Sequence, residues 1–285
     1  MAMATMFIVS ACSVLASSEP LAVVPEPPPR EFPAVVAPRE PEVNLQLVAE
    51  TPDAEPIESV GSVPAVTVAR YKPRPKPGPF SINLYKQGDF MHQQTKDWCV
   101  AGSTQIMMNI IDTGKPNRSV AFQKKLYFEG RRLSRNQKKL GSIGVDLTGW
   151  MELLNTRGYG PYEVDGGNTR AGAIRKAARA LRQTGKPVGL ATWRGAHSWV
   201  MSGFTATADP AYTKDFKVLK VYIQDTWYPF VSTIWGASRP PNAAVPVAAL
   251  AEDFLPYRRP TARYPKRDGK FMLILPVLPP NTVVR

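Results

Sequence analysis

Residues 92–103 read His92-Gln93-Gln94-Thr95-Lys96-Asp97-Trp98-Cys99-Val100-Ala101-Gly102-Ser103. Asp97 is a residue type that caps helix N-termini, and the apolar run behind it predicts a helix over 98–111, ended by Gly114 and Pro116. Cys99 then falls in the first turn. Unpaired backbone N–H groups and the positive end of the helix dipole stabilise an anion there, which lowers a thiol pKa and yields the reactive thiolate. A lone cysteine is more often an inert buried residue, so the placement needs partners before it carries chemistry.

Two later segments offer them. His197, one of two histidines, opens the run His197-Ser198-Trp199-Val200-Met201 behind Gly195-Ala196, and a strand is predicted over 197–205. The small residues leave room for a substrate chain, and a strand end holds an imidazole rigidly toward a cleft. Asp225 closes a second strand, predicted over 217–224. A carboxylate at the end of a neighbouring strand accepts from the imidazole Nδ1–H, fixing the tautomer and stabilising the imidazolium. Taken singly, each has a plainer reading: His197 as a hydrogen-bonded core residue, Asp225 as an ordinary turn residue.

Around these segments the pattern predicts further helices over 119–128, 147–155 (capped by Asp146) and 171–183 (ended at Gly185). Strands are predicted over 187–193 and 271–275. Helices first and strands later argue for an α+β domain and against a parallel βαβ sheet. The loops over 157–169 and 235–246 are where specificity is expected to reside.

The N-terminal part of the 285-residue chain reads differently. Residues 1–18 are apolar and small, like the core of an export signal with cleavage near Ala16-Ser17-Ser18, although no Lys or Arg precedes the run. Val9-Ser10-Ala11-Cys12 also resembles a lipoprotein box, which would make Cys12 a lipid anchor. Secretion or surface attachment is the expectation. Residues 19–79 hold fifteen prolines and no core-forming period, so they are expected to be a disordered linker, with the basic strip 70–80 as a stiff spacer or a polyproline ligand. The folded domain is expected over 80–285.

Charge follows the same division. Residues 19–60 hold nine acidic and two basic side chains, and the first eighteen hold none, so the remainder carries +20 against +13 for the whole chain. A basic domain behind an acidic stalk suits an anionic wall polymer or a membrane surface, or is simply a solvated basic face. No RNA-binding motif, zinc finger or helix-turn-helix points to nucleic acid. With only Cys12 and Cys99, a disulfide framework and a cysteine-built zinc site are excluded.

Gln93 stands six residues before Cys99, and Cys, His and Asp follow in that order. Here the chain resembles papain-like cysteine peptidases, specifically the bacteriocin-processing type and its exported bacterial relatives. Trp98-Cys99-Val100-Ala101-Gly102-Ser103 looks like that family's nucleophile helix, Gly195-Ala196-His197-Ser198-Trp199-Val200 like its histidine strand, and Ile223-Gln224-Asp225-Thr226-Trp227 like its orienter strand. The resemblance covers about residues 80–275, specifically only in these segments. It implies a helical half carrying the cysteine and an antiparallel half carrying His197 and Asp225. It further implies a Cys99–His197–Asp225 triad, Gln93 as oxyanion donor, Trp227 as a shield over the His–Asp pair, a peptide or protein substrate, and no cofactor.

Two departures stand out. Residue 101 is Ala where relatives often carry Pro. The 205–216 stretch lengthens the His–Asp interval, so an extended surface hairpin is expected there, with Asp209 and Asp215 as weaker substitutes for Asp225. A cell-wall amide hydrolase is an alternative, but such enzymes commonly use a second histidine as third residue, and His92 precedes the cysteine. A non-catalytic basic binding module on a stalk is the other. It predicts loss of Cys99, His197 or Gln93, and all three are present.

Overall fold

Three runs of the sequence carry no Asp, Glu, Lys or Arg at all. In the computed structural model, which describes residues 77–135, 144–258 and 266–279, each becomes a strand covered on both faces. They are β3 (Val188–Thr192), β4 (His197–Ala208) and β9 (Phe271–Pro276). Alternate side chains serve opposite cores: Leu190, Trp199, Met201 and Leu273 join one cluster, and Ala191, Val200, Met272 and Ile274 the other. The expected export segment, Cys12 and nearly all of the linker lie outside the described residues.

The sheet runs β2–β9–β3–β4–β5–β8, with β2 at Tyr162–Gly167, β5 at Val218–Asp225 and β8 at Ala243–Pro246. β1 (Pro77–Asn83) pairs with the second half of β4, and every pairing in this sheet is antiparallel. A small hairpin, β6 (Val231–Ser232) with β7 (Gly236–Ala237), stands apart. Helices α1 (Cys99–Ile111), α2 (Val120–Leu133) and α3 (Leu147–Thr156) build one core, and α4 (Arg170–Thr184) builds the other. The fold is α+β, as expected. Among the described residues no helix is long and apolar enough to cross a membrane.

Several expectations need correction. β1 begins at Pro77, so residues 77–79 belong to the folded unit, not to the linker. A Pro-rich, basic segment hides this strand because its pairing comes from β4, a long-range contact invisible locally. The 157–169 and 235–246 stretches are not plain loops, since they contain β2, β7 and β8. The helices are also not all on one side, because α4 covers the opposite face from α1–α3.

Close packing is set by glycines. A Cβ on Gly149 would stand 2.5 Å from both the Gly130 carbonyl oxygen and Ser134 Oγ, where α3 crosses α2. Gly149→Ala should therefore cost about 1–3 kcal/mol by overpacking and lower the melting temperature by several degrees. Gly114→Ala, with open space around its Cβ, should leave the melt unchanged. Equal melts for both variants would contradict this crossing.

Candidate functional site

Antiparallel pairing puts the start of β4 beside the end of β5, so His197 and Asp225 meet at one end of the sheet. Asp225 pairs across from Trp199, two residues beyond His197, and its Oδ1 lies 2.8 Å from His197 Nε2. Both are buried. The carboxylate is itself held by two backbone donors: Trp227 N–H to Oδ1 at 2.9 Å and Arg239 N–H to Oδ2 at 3.2 Å. The nitrogen facing Asp225 is Nε2 rather than the expected Nδ1, which leaves Nδ1 toward the thiol. Asp209 is engaged by Arg182 at 3.0 Å and Asp215 is exposed, so neither substitutes for Asp225. The expected hairpin is present, with β4 running to Ala208 before the chain turns into β5.

Cys99 is the first residue of α1, and its thiol is coupled to the His197 imidazole and to the Ser198 side chain, both of which favour its charged form. The N-cap is Trp98 and no side chain caps the helix, so Asp97 does not play the capping part expected of it. No side chain competes for the first N–H groups of the helix, and the Val100 amide adds to the lowering of the thiol pKa. Burial by itself would raise the Cys99 pKa. The His197 hydrogen bond and charge, with the Ser198 and Val100 donors, more than offset burial and hold the thiol below its ordinary value. Burial likewise works to lower the His197 pKa, while Asp225 and Cys99 push it up to about 9. Both directions favour a thiolate–imidazolium pair over the neutral thiol and imidazole.

Two contacts fix the helix against the strands. Ser103, one turn beyond Cys99, lies 2.9 Å from Ser198 Oγ and 3.3 Å from the Ser198 carbonyl oxygen. Gly102 lets α1 approach Gln93 and Thr226, because a Cβ there would already stand 3.2 Å from Thr226 Cγ2 and 3.5 Å from Gln93 Cβ.

Gln93 is buried in this seam. Its Oε1 accepts from Thr226 Oγ1 at 2.9 Å and its Nε2 donates to the Thr95 carbonyl at 2.8 Å. These bonds fix which end of the amide is which and leave a second N–H for another acceptor. The surrounding segment is pinned to the helices by amide side chains: Gln123 reaches the His92 carbonyl, and Asn109 reaches the Asp89 carbonyl. His92 itself packs its ring against Phe230, 6.0 Å between centroids, and takes no part in the Cys99–His197–Asp225 chain.

The shield is not where it was expected. Trp227 packs on Phe230, whereas the ring lying flat on His197 is Trp193, at 4.2 Å and 24°. Trp193 is in turn stacked on Trp235 at 5.8 Å. Asp253 holds it in place by accepting from Trp193 Nε1 at 3.1 Å and through its carbonyl from Trp193 N–H at 2.8 Å. Arg239 clamps the other Asp253 oxygen at 2.9 Å. The aromatic and glycine of Trp193-Arg194-Gly195 directly before His197 were the available signal in the sequence. Nothing local marked Arg239 or Asp253.

Asp225→Asn should lower the His197 pKa from about 9 toward the ordinary value of ~6.5, because the carboxylate, acting beside Cys99, is the leading cause of the rise. With two histidines in the chain, proton NMR reads this titration with little overlap. An unmoved His197 titration would detach Asp225 from it.

No family model matches the chain, and neither the curated proteins nor the solved structures provide a match.

Proposed function

We propose that the protein is a cysteine hydrolase of papain-like fold, a peptidase related to the bacteriocin-processing type. The observation that carries this is the convergence of the Cys99 thiol, the His197 imidazole and the Asp225 carboxylate from the ends of three different elements, with His197 hydrogen-bonded to Asp225 and electrostatically coupled to Cys99. An inert core cysteine has no need of an imidazole held by a buried carboxylate, nor of donors that lower its pKa.

In this reaction the Cys99 thiolate attacks a peptide carbonyl, forming the C–S bond and a tetrahedral oxyanion. The free N–H of Gln93 and the Cys99 backbone N–H stabilise that oxygen. As the C–N bond breaks, His197 gives its proton to the leaving amine, and a thioester remains on Cys99. Water, deprotonated by the now neutral His197, then releases the acid and regenerates the pair. Asp225 keeps the imidazole oriented, and Trp193 keeps water off its face.

A peptide pool incubated with the full chain should show new termini, and mass spectrometry of quenched samples should place the acyl adduct on Cys99. No cleavage, together with no labelling of Cys99 by a peptidyl thiol-directed inhibitor, would reject the proposal.

A further inference from the structure

Arg194 and Arg258 are the rim of a cleft that the reaction described above does not use. The cleft has a volume of about 310 Å³ and is lined by Arg194, Pro256, Tyr257, Arg258, Asp268 and Gly269. It adjoins the turn that leads into His197. Arg194 lies three residues before His197, in the turn whose Trp193 covers the imidazole, and a Cβ on Gly195 would stand 2.3 Å from the Tyr257 ring.

The placement of the two arginines is built into the backbone. Trp193 (φ 52°) and Arg194 (φ 57°) both occupy the left-handed region, a cost of order 1 kcal/mol or more for a residue with a side chain. The Arg258 N–H donates to the Arg194 carbonyl at 3.1 Å, which brings the two side chains to the same cleft. Neither guanidinium makes an ion pair among the described residues, although Asp268 shares the cleft. Two guanidinium groups against the single carboxylate of Asp268 leave this cleft with an excess of positive charge, which suits an anion, and the fork of a guanidinium matches a carboxylate.

We infer that this cleft binds a carboxylate of the substrate, so that acidic peptides are the preferred substrate class. The inference rests on the cysteine-hydrolase function proposed above. A glutamate side chain and a peptide C-terminus both supply this chemistry.

The test uses the full chain with paired peptide sets, Glu against Gln at each position around the scissile bond and free acid against C-terminal amide. Wild type should favour one acidic member by roughly tenfold or more. The ratio should fall toward one in the Arg194→Gln/Arg258→Gln double variant and invert in Arg258→Glu. A preference for internal Glu assigns the side chain and a preference for the free acid assigns the chain end, and either supports the cleft. Ratios near one in wild type, or unchanged in the variants, overturn it.

A second readout needs no turnover. Anionic iodoacetate and its neutral analogue iodoacetamide both alkylate Cys99, and the iodoacetate-to-iodoacetamide rate ratio should drop in the double variant. If no peptide is cut but this ratio still drops, the hydrolase proposal fails while the anion cleft stands. An unchanged ratio rejects the cleft whatever the enzyme does.

Discussion

His197→Ala should lower turnover by about 10⁴-fold or more and should raise the pH at which Cys99 becomes alkylated. The first effect follows from removing the group that both protonates the leaving amine and activates water. Loss of one member of such a unit costs nearly as much as loss of the whole. The second follows from the balance at the sulfur. Burial raises the Cys99 pKa, and the largest opposing contributions come from the His197 hydrogen bond and charge. Without them burial dominates, and the thiol should titrate above its ordinary value. Cys99→Ala, by contrast, should abolish turnover and labelling together. Melting temperatures on the same samples keep loss of fold separate from loss of chemistry. Unchanged alkylation in a folded His197→Ala protein would mean that the imidazole does not control the thiol.

Gln93→Ala should lower turnover by roughly 10²–10³, about 2.7–4 kcal/mol, while leaving Cys99 as reactive as before. The thiol keeps His197, Ser198 and the helix N-terminus, none of which depends on the Gln93 amide. The substitution also leaves Thr226 Oγ1 buried without its acceptor, so the melt should fall by about 1–3 kcal/mol. Gln93→Glu tests the N–H. It keeps an oxygen for Thr226 but has no N–H for an oxyanion or for the Thr95 carbonyl, so the catalytic loss should persist while the buried carboxylate adds a stability cost of its own. Recovery of turnover in Gln93→Glu would reduce Gln93 to a structural residue.

The site was more legible in the sequence than the fold around it. Helix caps are local chemistry, and Asp146 and Ser119 do accept from Gly149 and Phe122 N–H as their residue types suggest. Cys99, His197 and Asp225 were legible because each sits at an element boundary and their order matches a known family, and Gln93 only through its spacing in that resemblance. What escaped was whatever depends on distant pairing. β1 takes its conformation from β4, more than a hundred residues away, and β2 takes its own from β9. The tie from Asp253 through Trp193 to His197 spans sixty residues before it reaches the imidazole, and no spacing rule links such positions. The ring nitrogen of His197 that meets the carboxylate was misjudged too, because the ring's orientation is set by Trp193 and Asp225 around it and not by the local sequence.

The pH dependence of Cys99 alkylation by iodoacetamide, mapped by mass spectrometry on the wild-type chain, bears most directly on the thiolate–imidazolium pair. With Cys99 lowered and His197 raised to about 9, the pair exists between the two titrations. The rate should therefore rise at a pH below that of an ordinary thiol, hold a plateau, and change again near pH 9 as His197 loses its proton. A single rise centred at or above ~8.5, the value of an unperturbed cysteine, would show that Cys99 and His197 form no such pair.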